Sequence, residues 1–221
     1  AAIILKKRGH EPILCEATDT LGGQFLTAGE APRKKEMKAA AISMAKKAER
    51  LGVDIRMNTK VTPEMIEEIK PHTVMNAIGA ESIIPPIPGV DKAFVKDSHD
   101  VLDGKAEATG NVVVIGGGMV GMETAEYLAE KGAKVSVLEM LPDICSDMGT
   151  TRKICMGEEI QKSGIIPVTS VKVTEIGDNV VIGEKDGEKV EFPCDTAVLA
   201  IGAKKRDGSA LAETCYKNGI G

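Results

Sequence analysis

Apolar residues along this chain come in two rhythms, short unbroken runs and longer stretches where they recur every three or four positions. The β-branched run Val112-Val113-Val114-Ile115 predicts a strand over 111–115. Three glycines follow it, then a helical stretch over 119–131 and a second strand over 134–139. Downstream the pattern predicts a helix over 150–163 and a final strand over 196–201. Between them, turn signals at 177–179 and 186–188 mark an antiparallel meander spanning about 170–193. The first part of the chain alternates in the same way, with a helix tail (1–8), a strand (12–16), a helix (34–51) ended by Gly52 and a strand (53–57). Then come a helix over 63–69, with Thr62 as N-cap and Pro63 at its first position, and a strand over 72–78. The proline-rich stretch 82–90 reads as a rigid link. Strands alternating with helices imply an α/β fold with a mainly parallel, doubly wound sheet.

The chain also repeats itself. Leu5 matches Leu128, Gly9 matches Gly132, Glu16 matches Glu139, and Ala77-Ile78-Gly79-Ala80 recurs as Ala200-Ile201-Gly202-Ala203. Each pair is 123 positions apart (128 − 5, 132 − 9, 139 − 16, 200 − 77). The expectation is two Rossmann-like folds in tandem, 1–105 and 106–221, the second carrying the meander as a flap. At that offset, first-half counterparts of Gly116, Gly118 and Gly121 fall before residue 1. The first fold is therefore expected to be truncated, and the absence of an initiator Met points the same way.

Composition narrows the classes. A net charge of −5 and 2% aromatic residues argue against nucleic acid, which needs a basic footprint and stacking rings. The basic clusters at 6–8, 33–35 and 204–206 read as solvated faces. Apolar runs are too short for a membrane span, and the N-terminus is not a signal peptide. Five cysteines with no metal-ligand spacing and no secretion signal suggest a reducing, cytoplasmic setting.

The strongest chemistry lies in Gly116-Gly117-Gly118-Met119-Val120-Gly121. Gly116 permits a tight turn, Gly118 lets a pyrophosphate approach the backbone, and Gly121 lets the helix pack on the sheet. The helix beginning at Met119 then offers free N–H groups to phosphate. Glu139, 18 positions past Gly121, is placed to accept hydrogen bonds from an adenosine ribose. Met140-Leu141-Pro142-Asp143 supplies no cation for a 2′-phosphate, so NAD is favoured over NADP. Glu123, in the first turn of the helix, is either a helix-dipole carboxylate or a contact to the nicotinamide amide. Gly202 marks either a close backbone approach to cofactor or a plain turn. His10, His72 and His99 share no motif.

Residues 15–25, 77–89, 112–142 and 195–203 resemble the two-dinucleotide pyridine nucleotide–flavin oxidoreductases. Within them the chain is similar to the C-terminal module of the 2,4-dienoyl-CoA reductase, trimethylamine dehydrogenase and enoate reductase group, of old-yellow-enzyme type. The resemblance implies FAD in the first half, held by Glu16, Gly22, Gly23, Gln24 and Gly79, and NAD(H) in the second. It further implies FMN and an iron–sulfur cluster in an N-terminal barrel that would be the partner of this segment. Truncation is expected to weaken FAD binding and to leave the first half loose or buried against another copy, as a homo-oligomer.

Two functions compete: an NADH-entry segment of a flavoenzyme reducing enoate- or dienoyl-type substrates, and a stand-alone NAD-binding module without catalysis. The first needs stacking and positioning for hydride transfer and no catalytic acid or nucleophile among these residues. A thiol–disulfide reductase is set aside, since Cys145 and Cys155 are too far apart in sequence to form its motif.

Overall fold

The computed structural model describes every residue except Asp147. Contacts divide the chain into two units: 1–29, 35–81 and 205–221 form one, while 30–34 and 82–204 form the other. This is a partition by contact, whereas the sequence-based halves 1–105 and 106–221 are a partition by cofactor.

In the first unit, Ile13–Cys15 and Asp54–Arg56 form a parallel pair with Ile13 opposite Asp54. Helices Ala2–Lys7, Gln24–Ala28, Lys35–Arg50, Pro63–Ile69 and Ser209–Lys217 belong to the same unit. The Thr62 hydroxyl accepts from the Met65 amide at 3.4 Å, the cap that the sequence announced. Gly52, with φ 70°, takes the left-handed conformation just past the long helix.

The expected strand over 72–78 does not form. Its polar backbone finds other partners: the Val74 amide donates to the Gly221 carbonyl at 2.7 Å and the Ile78 amide to the Asn76 side chain at 3.3 Å. A strand exists only where a neighbour completes its ladder. Without one, Met75 and Ile78 stay exposed. Short strands instead occupy Ala80–Ser82 and Ala203–Lys205.

The second unit is a five-stranded, wholly parallel sheet ordered Val95–Asp97, Thr196–Leu199, Asn111–Ile115, Lys134–Leu138, Ile166–Val168. Its central strand is buried from Val112 to Ile115, which is why that stretch reads as a continuous apolar run. Helices Met119–Glu130 and Thr150–Ser163 supply Met122, Ala125, Leu128, Met156 and Ile160 to one core cluster. The meander Lys172–Ile176, Val180–Lys185, Glu188–Pro193 supplies the other through Ile176 and Val181. Its turns place Asn179, Asp186 and Gly187 at positive φ. Ile87 and Val90 of the proline-rich link pack on this second cluster, and the Ile176 amide donates to the Pro88 carbonyl at 2.8 Å. The link is thus packed against the core.

Candidate functional site

The glycine loop leaves the carboxyl end of the central strand. Gly116 has φ 109°, and a Cβ there would lie 2.5 Å from the Ala200 carbonyl oxygen. At Gly121 a Cβ would lie 1.9 Å from the Gly116 carbonyl oxygen. Both glycines are therefore needed for the helix to rest on the sheet. Gly118 differs, since its backbone is extended and an added Cβ would meet none of the described residues within 4 Å. Its N-cap is Gly118, which has no side chain to cap the helix, so among the described residues the N-cap leaves the first-turn amides and positive dipole end without a side-chain acceptor of its own. Bare amides at a helix N-terminus are what a phosphate requires. Met119 and Val120, at the helix start, are partly exposed.

Glu139 closes the other side. Its Oε2 accepts from the Gly117 amide at 2.7 Å and its Oε1 from the Leu141 amide at 2.8 Å. A Cβ on Gly117 would lie 2.9 Å from the Glu139 Cβ and 3.0 Å from Ile144. The middle glycine, given no role of its own by spacing, is thus a packing requirement of the acidic residue. The Cys145 amide adds a bond to the Gly117 carbonyl at 2.8 Å, and Met140 beside the acid is exposed. Gly202 has φ 114°, and its carbonyl accepts from the Ile83 amide at 3.0 Å.

Glu123 lies in the second turn of its helix rather than the first, and is 8% exposed. It pairs with Lys34 and, at 3.3 Å, with Arg152. Glu126, one turn on, accepts from Arg33 at 2.7 Å. The cluster at 33–35 is therefore not simply a solvated face. Its first two cations serve carboxylates 89 and 93 positions away, a relationship no local spacing encodes.

Around the predicted flavin residues, one Glu16 oxygen accepts from the Thr18 amide at 2.8 Å and hydroxyl at 2.9 Å. Gly22, Gly23 and Gly79 all have positive φ, and Gln24 donates to the Ala80 carbonyl at 3.5 Å. His99, given no role from sequence, sits 3.1 Å from the Ser82 hydroxyl and 3.3 Å from Asp97. Burial opposes charge on Asp97, but hydrogen bonds from His99 and Ser82 outweigh it and lower the carboxyl to about 2. The bond to Asp97 in turn raises His99 above its ordinary value, against partial burial. None of the five cysteines is in a disulfide, and among the described residues no helix is long and apolar enough to cross a membrane.

The pyridine nucleotide-disulphide oxidoreductase profile matches residues 1–219. The bilirubin reductase of Mediterraneibacter gnavus (strain CC55_001C) is 42% identical over 204 residues, covering 92% of this chain and 32% of that protein. The NADH oxidase of Thermoanaerobacter brockii is 40% identical over 225 residues, covering 100% of this chain and 34% of that one. A solved structure of 2-naphthoyl-CoA reductase with 2-naphthoyl-CoA superposes with a TM-score of 0.88 at 29% identity, over 96% of this chain and 32% of that one. The chain thus spans about a third of the length of the curated relatives it matches. With a glycine-loop fold of this kind and a profile match over nearly its whole length, the chain belongs to the pyridine nucleotide-disulphide oxidoreductase family.

Proposed function

We propose that this chain is the dinucleotide-handling segment of an NADH-dependent flavin oxidoreductase, with NAD(H) held on residues 116–140 and FAD on the side of Glu16. The observation that carries this reading is the contrast among the loop glycines. Gly116, Gly117 and Gly121 are filled in by their own protein, whereas among the described residues nothing fills the space at Gly118, the N-cap of the helix. A cradle shaped for a pyrophosphate has that form, so the residues present fit the group.

Gly118 and the first-turn amides of Met119, Val120 and Gly121 would hold the phosphates. Glu139, already fixed by two backbone amides, keeps lone pairs for a ribose diol and would repel a 2′-phosphate. Glu123 and Gly202 would lie toward the nicotinamide. For FAD, Glu16 would take the ribose while Gly22, Gly23, Gln24 and Gly79 let the chain pass close to the flavin. The cofactors, when bound, would supply hydride-transfer chemistry, and these residues would contribute orientation and exclusion of water.

In the whole enzyme, electrons would pass onward through an iron–sulfur cluster to FMN in an N-terminal barrel, reducing a conjugated substrate of enoate or dienoyl type. The relatives named for reduction of bilirubin and of 2-naphthoyl-CoA, both conjugated molecules, support that substrate class. Calorimetric titration of the chain with NADH and NADPH tests the central reading. NADH should bind more tightly, and equal affinity or no binding of either would overturn it.

A further inference from the structure

Helix Met119–Glu130 carries Glu123, Glu126 and Glu130 at spacings of three and four, which places all three on one face. Glu123 is 8% exposed and Glu126 4%. A buried carboxylate is costly unless it is paired. Here the pairing comes from segment 30–34 and helix Thr150–Ser163, both in the same unit as the acidic face. Lys34 and Arg152 hold Glu123, while Arg33 reaches Glu126 at 2.7 Å, Glu159 at 3.2 Å and Glu130 at 3.8 Å.

This arrangement is poorly explained by stability alone. Arg33 adopts φ 61°, a left-handed conformation that a non-glycine residue takes at a cost. One guanidinium serves three carboxylates, and Glu126 Oε1 is fully buried with no hydrogen-bond partner among the described residues. A set of apolar side chains would fill the same space at no greater cost. What the arrangement does accomplish is geometric. Lys34 is the next residue after Arg33, and its carboxylate partner Glu123 is one helical turn closer to the open N-terminus than Glu126.

We propose that Arg33 and Glu126 are a positioning pair, clamping segment 30–34 to the helix so that Lys34 holds Glu123 at the dinucleotide site, and that dinucleotide affinity therefore follows the ionisation of Glu126. The inference rests on the NAD(H) reading of residues 116–140. The charged groups facing Glu126 are Glu123 and Glu130 on its own helix, Arg33 and Lys34 on the segment, and Arg152 and Glu159 on the neighbouring helix. Burial raises the Glu126 carboxyl above its ordinary value. Arg33 opposes this, and Glu159, Glu123 and Glu130 add to it. As pH falls, Glu126 takes up its proton and gives up its hold on Arg33. The segment then loosens from the helix, and Lys34 is drawn off Glu123.

The test is calorimetric titration of this chain with NAD+, which tolerates acid, from pH 7.5 to 5 at constant ionic strength. Wild type, Glu126→Gln, Arg33→Lys, Arg33→Met and Gly118→Val are compared, with thermal unfolding as the control for folding. Wild-type affinity should fall by about fivefold across that range, the low end of a coupling between sites. Glu126→Gln and Arg33→Met should bind weakly at pH 7.5 and show no pH dependence, and Arg33→Lys should restore part of both. A Glu126→Gln or Arg33→Met protein that keeps wild-type affinity or the wild-type slope overturns the proposal. Arg33→Lys keeps a cation beside Glu126, so it remains a test of the pairing if Glu126→Gln or Arg33→Met does not fold. Gly118→Val separates the two claims: if it binds NAD+ like wild type, or if wild type does not bind, the site reading itself fails.

Discussion

The carboxylate of Glu139 binds the loop it faces, accepting the Gly117 amide at 2.7 Å on one oxygen and the Leu141 amide at 2.8 Å on the other. The acid that would select the ribose also fixes the loop that would hold the phosphates. Glu139→Ala should therefore weaken NADH binding and narrow its advantage over NADPH. The loss should be no more than about 3 kcal/mol, the upper value for a hydrogen bond to a charged group. Calorimetry with both cofactors reads both effects, and an unchanged NADH/NADPH ratio would count against the assignment.

Two loop glycines should respond oppositely to added side chains. Gly118→Val leaves the fold intact, since its Cβ enters open space, but obstructs the phosphates. Its affinity for NADH should drop at least about tenfold, or ~1.4 kcal/mol. Gly121→Ala drives a methyl into the Gly116 carbonyl. It should cost at least the ~1–3 kcal/mol of an overpacked core. Paired thermal melts and titrations distinguish a lost site from a lost fold.

Asp97→Asn keeps an N-cap side chain on the helix Ser98–Leu102 while removing the charge beside His99. The lowered Asp97 contributes stability that is present above its unfolded value and lost as pH falls toward about 2. The raised His99 contributes stability that is present below 6.5 and lost as pH rises through its folded value. Both are in force near pH 5.5. The substitution should thus lower the melting temperature more at pH 5.5 than at pH 8.5, with a cost of about 1–2 kcal/mol at the lower pH.

Thiol labelling should divide the cysteines by burial. Cys155 is exposed, whereas burial, with Asp195 adding to it, pushes the Cys194 thiol up to about 11. Iodoacetamide at pH 8 should modify Cys155 first and leave Cys194 unmodified until denaturant is added. Peptide mass mapping over time gives the order.

The second unit was legible because its signals are local. Val112–Ile115 announces a central strand, the glycines announce a turn, and Asp186-Gly187 announces a hairpin, each from its own few residues. Strand Val95–Asp97 and helix Ser98–Leu102 escaped notice because three and five residues are too few to establish a period. The stretch 72–78 has the composition of a strand, but a strand is a pairwise object and no sequence pattern guarantees the neighbour. Arg33 is exposed, as a solvated face requires, but its pairing and that of Lys34 are not legible for a related reason. Their partners lie about ninety positions away, and a salt bridge across that distance leaves no periodicity behind.

The first unit is assembled from stretches that the second unit separates along the chain, with the Val74 amide meeting the carbonyl of Gly221 and helix Pro63–Ile69 packing on helix Ser209–Lys217. Every contact of that kind closes a loop of well over a hundred residues, which makes it late and entropically demanding to form. Nearly all of the second unit is encoded in one uninterrupted stretch, 82–204, and it can condense as soon as that stretch leaves the ribosome. During synthesis the cell would hold a folded second unit beside an unfinished first one. Completion of the first unit therefore waits on the arrival of residues 205–221.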